Sequence, residues 1–267
     1  MTTPRSLPEQ PPMTVLTNLD QKSIPLASIT SIEAIDLDLN PPSVVEEHGH
    51  EGSVAVDIEK ASISDPRTSY PAQPHERPPH SPSSYHPWLI VSPYTEPSHQ
   101  LNLTTLDLQN QLLAQALALL STATPNYATT PYHKALNWPI VFNKLKHLCS
   151  EQNHNWTKTE FYAVEFRSKL KEGIDNDLLF RLDKESHREA TASGGLLKYW
   201  FGVPDLERRN LATCLWRSRE DAVKGGRGPW HKQAREVTAT MYESISVRGL
   251  KLSVEEDVKD WFFKSWL

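Results

Sequence analysis

Hydrophobic and polar residues alternate most regularly over positions 160–168. A period of two predicts a β-strand that presents one set of side chains to each side. One side would carry Tyr162, Val164 and Phe166, and the other Phe161, Ala163, Glu165 and Arg167. Segments 196–203, 211–218 and 242–254 predict three further strands.

The spacing changes to a helical one between these strands. Residues 177–193 repeat apolar positions at helical intervals and stop at Gly194-Gly195, which is typical of a helix C-terminus. A second helix is capped by Ser218, is interrupted at 225–229 and continues to about Met241. The order β-α-β-β-α-β over residues 159–256 predicts an α+β, ferredoxin-like antiparallel sheet with both helices on one face.

The opposite face of this sheet also contains apolar residues, such as Phe161 and Ala163, and therefore needs a cover. Residues 87–158 predict a helical extension that packs on the core, with helices near 104–120 and 139–148. Two covers compete, namely segment 104–148 and the sheet of a second copy. We predict the second, a homodimer of the dimeric α/β-barrel type.

The two ends of the chain differ in composition from this middle part. Sixteen of the 21 prolines precede residue 100, and aromatic residues are scarce before residue 87. Residues 1–86 therefore predict a disordered arm rich in Pro and Ser. Residues 257–267 form an aromatic tail that requires burial, either on its own domain or in a partner chain.

Charge and cysteine content exclude several classes of function. The net charge is −5 and no continuous basic block occurs, which argues against nucleic acid and anionic membranes as partners. Cys149 and Cys214 lack metal-type spacing and are interpreted as reduced thiols, and no metal site is predicted. The apolar run 112–120 is too short to cross a bilayer. We expect a cytoplasmic protein, with a nuclear pool as the variant.

Three segments carry a family resemblance, namely 161–168 (FYAVEFRS), 192–202 (ASGGLLKYWFG) and 209–218 (RNLATCLWRS). They resemble an uncharacterised fungal protein family with no assigned activity, over roughly 87–256. More distantly, Trp216-Arg217-Ser218 followed by Pro229-Trp230-His231 resembles the dimeric α/β-barrel group typified by antibiotic-biosynthesis monooxygenases. That resemblance implies a pocket between sheet and helices, with a helix histidine pointing into it.

Candidate site residues follow from this resemblance, for His231, and from the apolar stripe of the first helix, for His187. His231 is the first candidate for a catalytic base, and His187 is the second. The alternative for each is an ordinary hydrogen-bonded histidine on a helix. Aromatic residues that would line a ligand pocket, or else belong to the core, are Tyr162, Trp200, Trp216 and Trp230. The run 225–228 lacks the Lys-Ser/Thr ending of a nucleotide-binding loop and is interpreted as a mouth loop.

Two functions of different classes remain open. The first is a domain that binds a hydrophobic small molecule, acting as a cofactor-independent oxygenase or cyclase on an aromatic compound; no cofactor is predicted. The second is a non-catalytic dimeric interaction protein whose arm recruits partners. An enclosed cavity lined by His231 would favour the first.

Overall fold

The structure, a computed structural model, describes residues 87–266. The predicted arm, residues 1–86, lies outside this part of the chain. The described residues form a mixture of helices and antiparallel strands, so the α+β class is confirmed.

The N-terminal third of the described chain is mainly helical. Its elements are β1 (Trp88–Ile90), β2 (Gln100–Asn102), α1 (Leu108–Leu117), α2 (Tyr132–Ala135) and α3 (Trp138–Glu151). The predicted helix 104–120 begins later, because a 3₁₀ turn occupies Leu103–Thr105 and the Asp107 carboxylate caps the backbone N–H of Asn110 at 3.0 Å. The small sheet of β1 and β2 was not predicted, since three-residue strands are too short to show a period.

A five-stranded sheet follows. Its strands are β3 (Thr159–Leu170), β4 (Leu196–Phe201), β5 (Arg209–Trp216), β6 (Tyr242–Val254) and β7 (Trp261–Ser265). The helices between them are α4 (Asn176–Ser193), α5 (Arg219–Gly225), α6 (Pro229–Glu236) and α7 (Thr238–Met241). All neighbours pair antiparallel in the order β4-β5-β3-β6-β7.

Both faces of this sheet are buried within one chain. Tyr162, Val164 and Phe166 of β3 join the core beneath α4 to α7, as the alternation predicts. Phe161 and Ala163 face the other way and join a core formed with α1 and α3. The predicted cover by a second copy was wrong for this face, because the helical extension already occupies it. A homodimer remains a prediction, but it can no longer be argued from an uncovered sheet face.

One buried carboxylate on the extension side, that of Glu165, is neutralised locally. Glu165 is buried and accepts hydrogen bonds from Arg167 Nε at 2.7 Å and Arg248 Nε at 2.8 Å. Arg167 also donates to the carbonyl oxygens of Ala128 and Thr130. Because a buried carboxylate needs such partners, these contacts fix the 121–131 loop against the sheet.

The aromatic tail packs on its own domain as the fifth strand, β7. Phe263 pairs with Leu252 of β6 and lies 4.8 Å from Trp138 between ring centroids. Trp261 stacks on Phe142 at 4.7 Å. The tail therefore closes the core on the α1 and α3 side of the sheet.

This packing predicts unequal effects of two neighbouring substitutions. Phe263→Ala removes ring contacts with Trp138 and Tyr132 and is expected to lower the free energy of unfolding by about 2–3 kcal/mol. The matched control is Phe262→Ala. Among the ring contacts described for residues 87–266, Phe262 has only the one with the Lys264 ammonium group, so its loss is expected to lower the free energy of unfolding by less than about 1 kcal/mol. Urea unfolding measures both. Equal losses would contradict the packing of Phe263.

Candidate functional site

Helix α4 carries polar side chains on the face that packs against the sheet. Asp183, Ser186 and His187 are all buried on this helix, alongside Leu179 and Ala190. Residues three, four and seven positions apart share one helix face, so the polar groups enter the core together. The core between α4 and the sheet is thus partly polar.

Two tyrosines hold the buried carboxylate of Asp183. Tyr94 Oη donates to it at 2.5 Å and Tyr199 Oη at 2.6 Å. Burial, followed by the charge of Asp183, raises the pKa of both phenols, so they remain protonated donors. Asp183 therefore joins the segment before β2, helix α4 and strand β4 through short hydrogen bonds.

The neighbouring histidine, His187, is held through one ring nitrogen. Its Nδ1 lies 2.8 Å from Nδ1 of His99, while its buried Nε2 has no hydrogen-bond partner among residues 87–266. Burial, with smaller effects of His99 and His231, lowers the pKa of His187 to about 3. The ring is therefore neutral at physiological pH. Because one nitrogen of the pair must donate and the other accept, the two tautomers are coupled.

A carboxylate from α4 positions His231 on α6. Glu189 Oε2 lies 3.0 Å from His231 Nδ1, and the same carboxylate accepts the backbone N–H groups of Trp230 at 2.8 Å and His231 at 3.2 Å. Burial opposes ionisation of Glu189, but these hydrogen bonds lower its pKa overall. An ionised Glu189 makes Nδ1 of His231 the donor, which leaves the lone pair on Nε2.

Gly228, just before α6, makes this arrangement possible. A Cβ atom at this position would overlap the Glu189 carboxylate. The helix N-terminus, where a phosphate would bind, is thus occupied by a side chain of the same domain. This agrees with the interpretation of 225–228 as something other than a phosphate loop.

The two histidines line one largely enclosed cavity of about 20 Å³ between α4, α6 and the sheet. The other residues that line it are Val164, Ala190, Leu196, Tyr199, Cys214, Trp216, Ala222 and Gly226. A space of this size holds about one water molecule. Both cysteines are free thiols, and burial raises the pKa of Cys214, so this wall of the cavity is neutral.

The structure brings together some of the predicted site residues and separates others. His187, His231 and Trp216 share the cavity. Trp230 is partly buried against the same core, and Tyr162 packs edge-on to Trp266 at 5.1 Å, but neither lines the cavity. Trp200 lies on the opposite face, edge-on to Tyr127, because alternation in β4 separates it from Tyr199.

Four functional candidates were missed. Asp183 had a usable signal, since it falls within the apolar stripe of α4 together with His187. Glu189 had none, because a partly buried glutamate on a helix has no distinctive sequence pattern. Tyr94 and His99 precede the predicted ferredoxin-like domain, and only tertiary packing brings them to α4.

These features define an α+β domain with an internal, partly polar site beneath one helical layer. The chain belongs to the PB2B2.08-like family, which matches residues 90–265. The family resemblance drawn from the sequence is thereby confirmed. UPF0643 protein PB2B2.08 of Schizosaccharomyces pombe is 33% identical over 184 residues, which cover 66% of this chain and 84% of that protein.

Among solved structures, a putative antibiotic biosynthesis monooxygenase from Nitrosomonas europaea is similar at 13% identity with a TM-score of 0.29. The match covers 34% of this chain and 94% of that one. Residues 87–266 contain no helix long and apolar enough to cross a bilayer. The same residues contain no group of three or more metal-type ligands.

The role of Glu189 predicts a large effect of its removal. Glu189→Ala deletes three hydrogen bonds at the start of α6 and is expected to cost at least about 2 kcal/mol of unfolding free energy. Glu185→Ala, one turn earlier and paired with Arg188 at the surface, should cost less than about 0.5 kcal/mol. The pKa of Glu189 in the folded chain is below the ordinary 4.5. The contribution of Glu189 to folding stability is therefore present above pH 4.5 and is lost as pH falls through the pKa of the folded chain.

Denaturant titrations across pH measure this difference. The assignment fails if Glu189→Ala and Glu185→Ala are equally stable at neutral pH.

The neutral state of His187 predicts a specific acid sensitivity. Because its pKa is about 3 in the folded chain against an ordinary 6.5, the unfolded chain binds one more proton between these values. Stability is therefore full above pH 6.5 and falls as pH drops, with a slope of up to about 1.4 kcal/mol per pH unit. His187→Asn should remove this slope, whereas His147→Asn, at an exposed position, should keep it. A slope unchanged in His187→Asn would contradict the neutral, buried state.

Proposed function

We propose that this domain binds a small hydrophobic molecule in the cavity beneath α4 and α6 and acts on it by proton transfer without a cofactor. The observation that carries the proposal is the placement of two buried imidazoles, His187 and His231, on the wall of one enclosed cavity. An enclosed apolar space with convergent titratable groups is typical of a binding or catalytic site. The chemical class we favour is an aromatic compound with an acidic proton, turned over by an oxygenase or cyclase reaction.

We further propose that residues 159–256 are a ferredoxin-like unit. The order β4-β5-β3-β6, with α4 on one connection and α5 to α7 on the other, supports this assignment. In such a unit the space between helices and sheet is the natural pocket. Strand β7 and helices α1 to α3 are additions around this unit.

His231 is the proposed base. Glu189 holds Nδ1–H and would stabilise the imidazolium that forms when Nε2 accepts a proton. No carboxylate contacts the His187 ring within the described chain, and its pKa of about 3 keeps it neutral. A neutral imidazole can stabilise a developing negative charge by hydrogen bonding. The two histidines thus have different proposed roles because their environments differ.

The cavity must enlarge to admit such a ligand. An engineered protein cavity of about 150 Å³ holds benzene, whereas this one measures about 20 Å³. The movable wall is the α5–α6 segment, since Ala222 and Gly226 line the cavity and the glycine-containing link 226–228 joins the two helices. Binding would therefore displace this segment outward, as lids do in other enzymes.

Native mass spectrometry of the full chain purified from its native source tests the binding step. The wild-type chain is expected to retain a compound, and Ala190→Leu, which fills the cavity, is expected to lose it. Ala192→Leu places the same side chain on the exposed face of α4 and should retain the compound. His231→Gln should keep binding but slow turnover of that compound by about 10²-fold or more. Retention by Ala190→Leu, or full turnover by His231→Gln, would overturn the proposal.

A second candidate is a non-catalytic interaction protein whose residues 1–86 recruit partners. The small volume of the cavity and two exposed apolar residues on the β4–β5 loop, Val203 and Leu206, favour it. Under this candidate no compound is retained, and Leu206→Ser weakens partner capture while His231→Gln does not. A homodimer, if it forms, would use a surface other than the covered sheet face.

A further inference from the structure

We propose that His99 and His187 form a two-imidazole proton relay that connects the cavity to solvent, so that His99 is a positioning and proton-transfer residue of the site. The inference rests on the proposed function in one respect, namely that the cavity is where a proton is exchanged. It adds a residue from outside the ferredoxin-like unit. It also gives the buried His187 a role in moving a proton between the cavity and His99.

The geometry of the pair supports a relay. Nδ1 of His99 and Nδ1 of His187 lie 2.8 Å apart, and the ring planes are within 18° of each other. His99 ends a short 3₁₀ helix, Pro97–His99, whose last N–H bonds to the Glu96 carbonyl at 2.9 Å. Tyr94, anchored on Asp183, lies beside both rings. The contact between the imidazoles is therefore fixed from both sides of the pair.

The two ends of the pair lie in different surroundings. At the inner end, His187 lines the cavity and its Nε2 is buried without a partner among the described residues. At the outer end, His99 is itself buried but lies beneath the partly exposed charges of Glu96, Lys184, Glu185 and Arg188. The pair thus spans the distance from an enclosed space to the charged surface of α4.

Proton transfer along this pair leaves both imidazole rings neutral. In the starting state, His99 Nδ1–H donates to His187 Nδ1, and His187 carries its own proton on Nε2. His187 gives its Nε2 proton to the cavity molecule, the His99 Nδ1 proton passes to His187 Nδ1, and His99 takes a proton from water on Nε2. One proton leaves the pair and one enters it, the cavity molecule becomes its conjugate acid, and both rings end as the other neutral tautomer. The reverse sequence removes a proton.

The other groups around His187 do not compete for this role. Tyr94, Tyr199 and Cys214 stay protonated because burial raises the pKa of each. Asp183 is engaged by the two phenols, and Glu189 and His231 bond to each other on the α6 side of the cavity. Burial also lowers the pKa of His99, so both members of the pair are neutral carriers near pH 7.

Hydrogen exchange of the His187 ring proton tests the relay. The full chain with isotope-labelled histidine is followed by NMR in the absence of any added compound. In the wild type, the ring proton should exchange faster than the backbone amides of α4, because relay exchange needs no opening of the helix. Exchange at the amide rate would mean that protons reach His187 only by local opening, and would overturn the proposal.

Two variants separate relay from structure. His99→Asn preserves a hydrogen bond at Nδ1 but has no second nitrogen to pass a proton onward, so exchange should slow by about 10²-fold while the fold is kept. His147→Asn, on the exposed surface of α3, should exchange like the wild type. Unchanged exchange in His99→Asn would overturn the relay. If that variant does not fold, the wild-type comparison with α4 amides still decides.

Failure of the relay and failure of the proposed function give different results. Fast ring exchange together with no retained compound would support the relay and count against small-molecule binding. A retained compound together with amide-limited exchange would do the reverse.

Discussion

The structure depends on the burial of one carboxylate, Asp183, inside the layer between α4 and the sheet. An unpaired buried charge destabilises a protein by several kcal/mol, so Asp183 requires partners from outside its own helix. Tyr199 provides one from β4, and Tyr94 provides the other from a segment more than eighty residues earlier in the chain. The satisfied carboxylate fixes where that early segment crosses α4. The placement of His99 against His187 follows from the same crossing.

A second carboxylate, Glu189, organises the other side of the cavity by a similar logic. The N-terminus of α6 exposes unpaired N–H groups, and Gly228 supplies no side chain to cap them. Glu189 reaches across from α4 and satisfies both these donors and the His231 ring. Helix α4 thus supplies Asp183, His187 and Glu189 to this layer. Asp183 fixes the segment that places His99 against His187, and Glu189 orients His231. The polar groups around the cavity are therefore placed by the hydrogen bonds that Asp183 and Glu189 of α4 accept from neighbouring elements.

The sequence predicts the long segments that have a regular apolar pattern. It does not predict features that depend on tertiary contacts. The alternation in β3 and β6 predicts both strands, and in β3 it also predicts which side chains share a face, whereas β1, β2 and β7 are too short or too aromatic to be recognised alone. His187 and His231 were found because a family resemblance and an apolar stripe mark them. Trp200 was grouped with Trp216 because side-chain direction in β4 was left undecided. His99 was missed because no local pattern indicates a contact with a residue 88 positions away.

The central position of β3 has a consequence for how the chain assembles. Its pairing with β6 joins Thr159 to Val254, and its pairing with β5 joins Tyr162 to Trp216. Both edges of β3 therefore stay unpaired until segments later in the chain have been synthesised. Closing such long loops is entropically costly and slows folding. During that interval β3 exposes two open edges and two apolar faces, which is the state most prone to association with other chains. Helices α1 and α3, synthesised before β3, can shield one of those faces during this interval.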